Sequence, residues 1–220
     1  DTLVDFDYEV VLVDDGSGDD TWASIQGIAQ ASHQVTGIRL GRNSGQHSAL
    51  LAGVRAATKS IIVTIDDDLQ NPPEEIPTLV EALKSLDVDV VYGVPEHAEH
   101  AGWRRSSSWL VRRTMRTVLG VPEAINMSSF RAFKTNLREA FARPVGPGVS
   151  LDALLAWATS RFAAVPVRHD ARQYGVSQYT PIRLARFAVD ALSGYTTLPL
   201  RIVSSLGFLT AFGGLVLMGI

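Results

Sequence analysis

Six strand-like apolar runs that alternate with segments of helical period predict an α/β protein, with a mostly parallel sheet covered by helices on both faces. Two of the runs end abruptly in clustered carboxylates, where open α/β sheets present their ligands. The last 19 residues, Ile202 to Ile220, carry no charge.

The predicted strands are Tyr8–Val13, Val35–Leu40, Ile61–Ile65, Val88–Tyr92, Phe130–Lys134 and Phe162–Val167. Each is a short run rich in β-branched and aromatic residues, read as a strand buried on both faces. The intervening helices are expected over Trp22–Ala31, His47–Ala57, Glu74–Leu86, Trp103–Leu119, Asn136–Ala142 and Leu151–Thr159. Thr135 and Ser150 stand where N-caps of the last two would fall. Past Val167 the chain is polar and turn-rich, and Pro181–Tyr195 places Leu184, Phe187, Ala188, Ala191 and Leu192 on one helical face, which suits a helix lying in a membrane interface. The uncharged C-terminal stretch has the length of a bilayer span. Arg183, Arg186 and Arg201 precede it and put the globular part in the cytoplasm, at the plasma (inner) membrane. The expected division is 1–178 for the globular domain, 179–200 for the interfacial helix and 201–220 for a transmembrane helix.

With 220 residues the chain can bury one substantial core. It has no cysteine, which excludes disulfides, thiolate chemistry and zinc–thiolate sites. A net charge of −3 offers no basic field for nucleic acid.

The strand Ile61–Ile65 runs into Asp66-Asp67-Asp68-Leu69-Gln70-Asn71-Pro72-Pro73-Glu74. Asp66 and Asp68, one residue apart, can converge on one point while Asp67 turns away. Two hard carboxylate oxygens in one short loop suit Mg²⁺ or Mn²⁺, which keeps positions for water and substrate phosphates. Gln70 can add a neutral oxygen. A second strand ends in Asp14-Asp15-Gly16-Ser17, where glycine allows a sharp turn. A third ends in Gly41-Arg42-Asn43-Ser44-Gly45-Gln46, where backbone N–H groups and Arg42 at a helix start favour an anion.

The whole string Asp66-x-Asp68-x-Gln70-x-Pro72-Pro73-Glu74 resembles the metal and sugar-nucleotide loop of family-two glycosyltransferases. It especially resembles that of polyprenyl-phosphate glycosyltransferases of the dolichol-phosphate mannose synthase and undecaprenyl-phosphate formamido-arabinose transferase type. The resemblance implies a GT-A, Rossmann-like fold and inverting transfer of a sugar from a nucleotide-sugar donor to polyprenyl phosphate. It places Asp14 or Asp15 beside the base and ribose, and Arg42 beside the diphosphate. It implies that Arg104 and Arg105 clamp the acceptor phosphate, that Arg131 of Ser128-Ser129-Phe130-Arg131 lies near the active centre, and that the turn Arg172-x-x-Gly175-x-Ser177-x-Tyr179 closes over diphosphate and acceptor. Asp66, Asp68 and Arg131 are thus the expected catalytic residues, and Asp66, Asp68 and Gln70 the expected metal set. The expected partners are the donor, the lipid phosphate and membrane lipid; oligomeric state is left open, a homo-oligomer included.

Such relatives open with a further inner strand ending in a Pro-x-Tyr-Asn-Glu-like motif, so the resemblance implies that the first strand is missing ahead of Asp1. Many also carry an acidic residue where Ser129 stands, so a carboxylate base would have to be Asp67 or Asp152. Two rivals share part of this pattern. One is a polysaccharide-elongating transferase, whose Gln-x-x-Arg-Trp motif this sequence lacks, and the other is an inactive nucleotide-binding membrane scaffold.

Overall fold

A computed structural model describes residue 3 and residues 6–96, 128–141, 150–170 and 198–219. Two compact units divide at Val176/Ser177.

In the first unit, β1 (Val10–Asp14) pairs in parallel with β2 (Val35–Arg39), joined by α1 (Thr21–Ala31). Ile25 is the buried residue of α1, and a Cβ on Gly37 of β2 would come within 2.7 Å of its side chain, so glycine lets helix and strand approach closely. Helix α2 (Gln46–Ala56) follows, and its Gly53 rests on Val11 and Val13 of β1.

The remaining strands form a second sheet in the order β3 (Ile61–Thr64), β5 (Arg131–Lys134), β4 (Val90–Pro95), β6 (Phe162–Val167). It is mixed: β5 runs antiparallel to both β3 and β4, and β4 pairs in parallel with β6. The single, mostly parallel sheet expected from sequence is therefore corrected. Apolar runs reveal burial but not direction, and β5 reads the same either way.

Both faces of this sheet are covered, which is why its strands read as unbroken apolar runs. Val90, Tyr92 and Phe133 point to one side and pack with Val54 of α2 and with Leu151, Leu154 and Leu155 of α4 (Leu151–Ala158). Val91 and Ala132 point to the other, against Leu79 and Leu83 of α3 (Ile76–Ser85). Ser150 caps α4 as expected, its hydroxyl accepting from the Ala153 N–H at 3.2 Å. Thr135 does not act as a cap: its hydroxyl donates to the Lys59 carbonyl at 2.6 Å, and Thr135–Phe141 winds as a 3₁₀ helix. Pro73–Glu75 is also 3₁₀, leading into α3. The helix expected over Trp103–Leu119 lies outside the described residues.

In the second unit, Leu198–Met218 form one helix, α5. Among the described residues no helix is long and apolar enough to cross a membrane. The segment expected over 201–220 overlaps this helix, which starts earlier, at Leu198. The interfacial helix expected over 179–200 lies outside the described residues, except for its last three, which belong to α5.

Candidate active site at the carboxyl edge of the sheet

Because β5 is antiparallel to both β3 and β4, those two point the same way, as does β6. The carboxyl ends of β3 and β6 and the amino end of β5 therefore share one edge, and the acidic loop after β3 emerges there. Gln46, the first residue of α2, donates its side-chain N–H to Asp66 Oδ1 at 2.8 Å. That bond ties the acidic loop to the turn that ends β2.

That turn is held from the other side by Asp15. Its Oδ1 accepts from the Ser44 N–H at 2.8 Å and its Oδ2 from the Gly45 N–H at 2.7 Å. The sequence predicts that these amides await a ligand anion. The structure corrects this, because the anion seated on them is Asp15 itself, and Arg42 is left exposed on the same turn. Gly16 explains why the two loops fit. Its φ is +70°, and a Cβ there would lie 2.8 Å from the Arg42 carbonyl carbon and 2.9 Å from the Asn43 nitrogen.

Asp14 is buried at the end of β1 and accepts from the Ser17 N–H at 2.8 Å. Hydrogen bonding from Ser17, and then the Arg39 charge, hold its carboxyl below the usual carboxylate range. Its Oδ2 lies 3.3 Å from Arg39 Nε yet makes no hydrogen bond among the described residues. The charge contact is real, but its direction is poor, and this oxygen remains an acceptor in need of a donor.

In the acidic loop, Asp68 Oδ1 accepts from the Gln70 N–H at 3.2 Å, and Leu69 between them takes a φ of 59°. A left-handed leucine is a strained conformation of the kind that gathers at functional sites. Among the described residues no group of three or more His, Cys, Asp or Glu side chains forms a cage for a metal ion. The donor set of Asp66, Asp68 and Gln70 is all hard oxygen, which fits Mg²⁺ or Mn²⁺ sharing its shell with phosphates and water rather than a closed protein site.

Beneath this edge lies a buried polar network. The ladder sets Arg131 opposite both Thr64 and Tyr92. Arg131 is 2 % exposed and bonds to Asp152, while its Nε donates to Thr64 Oγ1 at 3.2 Å and its guanidinium lies over the Tyr92 ring at 5.8 Å. Tyr92 donates its hydroxyl to Asp152 at 2.9 Å, and Thr64 donates to the Ser129 carbonyl at 2.6 Å. Burial, and then the Asp152 charge, push the Tyr92 hydroxyl far above its ordinary pKa. Nearby in α2, His47 Nδ1 is buried and has no hydrogen-bond partner among the described residues; burial pushes this imidazole below its usual range, against the pull of Asp152. Arg131, expected as a catalytic residue near the active centre, is turned inward and paired with Asp152. Arg104, Arg105, Arg172 and Ser177 lie outside the described residues.

Sequence reasoning passed over Gln46, Asn71, Tyr92 and His169. Gln46 and His169 touch the acidic loop only through folding, and no spacing announces them.

Carboxylates and glycine turns at the strand ends of an α/β sheet are the mark of proteins that handle phosphorylated ligands there. This chain belongs to glycosyl transferase family 2, which its residues 2–143 match. It is 34% identical over 213 residues to an undecaprenyl-phosphate 4-deoxy-4-formamido-L-arabinose transferase of Sodalis glossinidius (strain morsitans), an alignment that covers 96% of this chain and 65% of that protein. The chain thus spans a little under two thirds of that relative's length. Among solved structures it resembles glucosyl-3-phosphoglycerate synthase from Mycobacterium tuberculosis in complex with Mn²⁺ and uridine-diphosphate-glucose, with TM-score 0.57 and 23% identity over 88% of this chain and 70% of the other. It also resembles a mannosyltransferase from Pyrobaculum calidifontis in complex with GDP-Man and Mn²⁺, with TM-score 0.55 and 24% identity over 81% and 51%. These likenesses establish a GT-A-like α/β fold.

Proposed function

We propose that this protein transfers a sugar from a nucleoside-diphosphate sugar to polyprenyl phosphate, with inversion, at the cytoplasmic face of a membrane. One observation carries the reading: the Asp66–Gln70 loop, the Asp14–Ser17 loop and the Arg42–Gly45 turn are tied together by Asp15, Gly16 and Gln46 at one sheet edge. The relative's name supplies the acceptor class.

In this reading Asp66 and Asp68, with Gln70, hold Mg²⁺ or Mn²⁺. When bound, the ion supplies positive charge beside the departing diphosphate. Arg42 faces the same diphosphate, and Asp14 takes a donor of the nucleoside on its unsatisfied oxygen. The acceptor's phosphate oxygen attacks the anomeric carbon from the face opposite the diphosphate. A new C–O bond forms as the old one breaks, and its electron pair leaves on the β-phosphate. The attacking phosphate monoester is largely dianionic near neutrality, with its second pKa about 6, so no proton has to be removed. Asp152, bound by Arg131 and Tyr92, therefore positions the sheet edge and is not a base. Arg104, Arg105, Arg172 and Ser177 are the residues we assign to the acceptor and diphosphate. Helix α5, with Val203, Phe208, Phe212 and Met218 exposed, is the surface offered to lipid.

The test is incubation of the full protein with undecaprenyl phosphate and a panel of labelled UDP- and GDP-sugars. Label should enter the lipid fraction with one donor, and it should be lost on chelation. Label appearing only on a soluble glycan, or transfer indifferent to chelation, overturns the reading.

A further inference from the structure

Asp14 and Arg39 are register partners at the carboxyl ends of β1 and β2. Their side chains meet at the sheet edge, with Arg39 Nε 3.3 Å from Asp14 Oδ2, but the two are unequally placed: the Asp14 side chain is wholly covered, whereas that of Arg39 is 47 % exposed. The cover over Asp14 is shallow, since desolvation bears on its carboxyl less than the hydrogen bonding of Ser17 does. A half-exposed guanidinium lying against a covered oxygen is part of what keeps water from it.

Nothing holds that guanidinium firmly. Its Nε makes no hydrogen bond to Oδ2, and its Nη2 donates to the Ser17 carbonyl only at 3.3 Å. Its Cζ lies 5.9 Å from the centroid of the Trp22 ring, at the outer limit of a cation–π contact, which is about 6 Å. Exposed ion pairs and exposed cation–π contacts are each worth at most about fivefold in an equilibrium constant. The cover is therefore easily lifted.

A better donor would lift it. Asp14 Oδ1 is engaged by the Ser17 N–H, which leaves Oδ2 as the oxygen with a free lone pair. A well-aimed N–H replaces a charge contact of poor direction with a hydrogen bond to a carboxylate, and charge-assisted bonds of this kind are the strong ones. The Watson–Crick edges of uracil and guanine both carry such a ring N–H.

We propose that Arg39 is a gate on the nucleoside subsite: in the free protein it covers the Asp14 oxygen and balances its charge, and it swings aside when the ring N–H of a nucleobase takes that oxygen. This rests on the placement of the nucleoside at Asp14 proposed above. Arg39 is on this account a positioning residue that acts through Asp14, and its charge contact stands in for the nucleoside until one arrives.

The experiment uses the full protein with the neutral nucleosides uridine and guanosine, so that neither a diphosphate nor a metal ion takes part. Affinity is read by ligand-observed NMR, and the Arg39 Nε–H resonance is followed in isotope-labelled protein. The nucleoside that binds should bind about fivefold more tightly to Arg39→Ala, the upper worth of one exposed ion pair, with Arg39→Lys falling between that variant and wild type. In the wild type it should shift the Arg39 Nε–H resonance in step with binding, a readout that does not depend on how well the Ala variant folds. Methylation of the base's ring nitrogen, as in N3-methyluridine or N1-methylguanosine, should abolish both the binding and the shift.

Unchanged or weaker binding in Arg39→Ala would overturn the proposal, and a loss recovered in Arg39→Lys would make Arg39 a ligand of the base instead. A resonance that stays in place while nucleoside saturates the wild type, beside a loss of binding in Asp14→Asn, would overturn the gate and leave the subsite standing. Binding of neither nucleoside, or binding unchanged in Asp14→Asn, would instead remove the nucleoside reading on which the gate rests.

Discussion

Replacing Asp152 with asparagine separates a structural carboxylate from a catalytic one. The Arg131 side chain is 2 % exposed and that of Asp152 19 %. Asparagine keeps an oxygen for Arg131 and Tyr92 but leaves the guanidinium buried without a counter-charge. Breaking a buried pair by removing one partner costs about 3–5 kcal/mol. The retained hydrogen bonds and the partial exposure of Asp152 favour the lower figure, about 3 kcal/mol. For a domain of this size each kcal/mol moves Tm by about 2–4 °C, so Asp152→Asn should melt about 6–12 °C below the wild type in scanning calorimetry. Arg131→Met added to Asp152→Asn should recover part of that loss, because no charge is then stranded. Transfer rate at a temperature where the variant is folded should fall only slightly, whereas losing a general base costs about 10²–10⁴-fold. A melting point within about 2 °C of wild type, or a thousandfold drop in turnover by a fully folded Asp152→Asn, would refute the reasoning.

Other consequences can be checked with simple measurements. Gly16→Ala forces a side chain into the left-handed region, at about 1–2 kcal/mol, and drives its Cβ against the Arg42–Asn43 peptide; chemical denaturation should show the loss, and titration should show weaker nucleotide binding. Asp15→Ala should release Ser44 and Gly45 and raise KM for the donor more than it lowers kcat, and steady-state kinetics with the two unchanged would count against it. Asp89 is held far below the usual carboxylate range, first by hydrogen bonds from Arg161 and then by Lys134 and Thr159. Its contribution is therefore complete above the unfolded carboxylate value of about 3.9 and is lost as pH falls below it. Acid titration of stability should be flatter in Asp89→Asn than in the wild type.

The strands and the acidic loop were legible because each rests on local chemistry. Ile61–Thr64 needs only a run of β-branched residues, and Asp66 and Asp68 are separated by a single residue in sequence. Ser150 could be read as a cap from its place ahead of Leu151. What escaped depends on partners brought together by the fold. Arg131 looked like a catalytic residue because the segment around it is a familiar one, yet its partners are Asp152 and Thr64, 21 and 67 residues away. Thr135 looked like a cap until Lys59 supplied a carbonyl. His169 meets Asn71 and Gln70 across 98 and 99 residues. The direction of β5 has no signature in its residues, and with it went the expectation of a mostly parallel sheet.

The central claim is that the acidic loop after β3 holds an ion that the donor's diphosphate requires. Calorimetric titration of UDP- and GDP-sugars, with Mn²⁺ and with chelator, on wild type and Asp68→Asn, tests it most directly. The account predicts binding of one donor that needs the ion and weakens at least tenfold in the variant; equal affinity in all four conditions would contradict it.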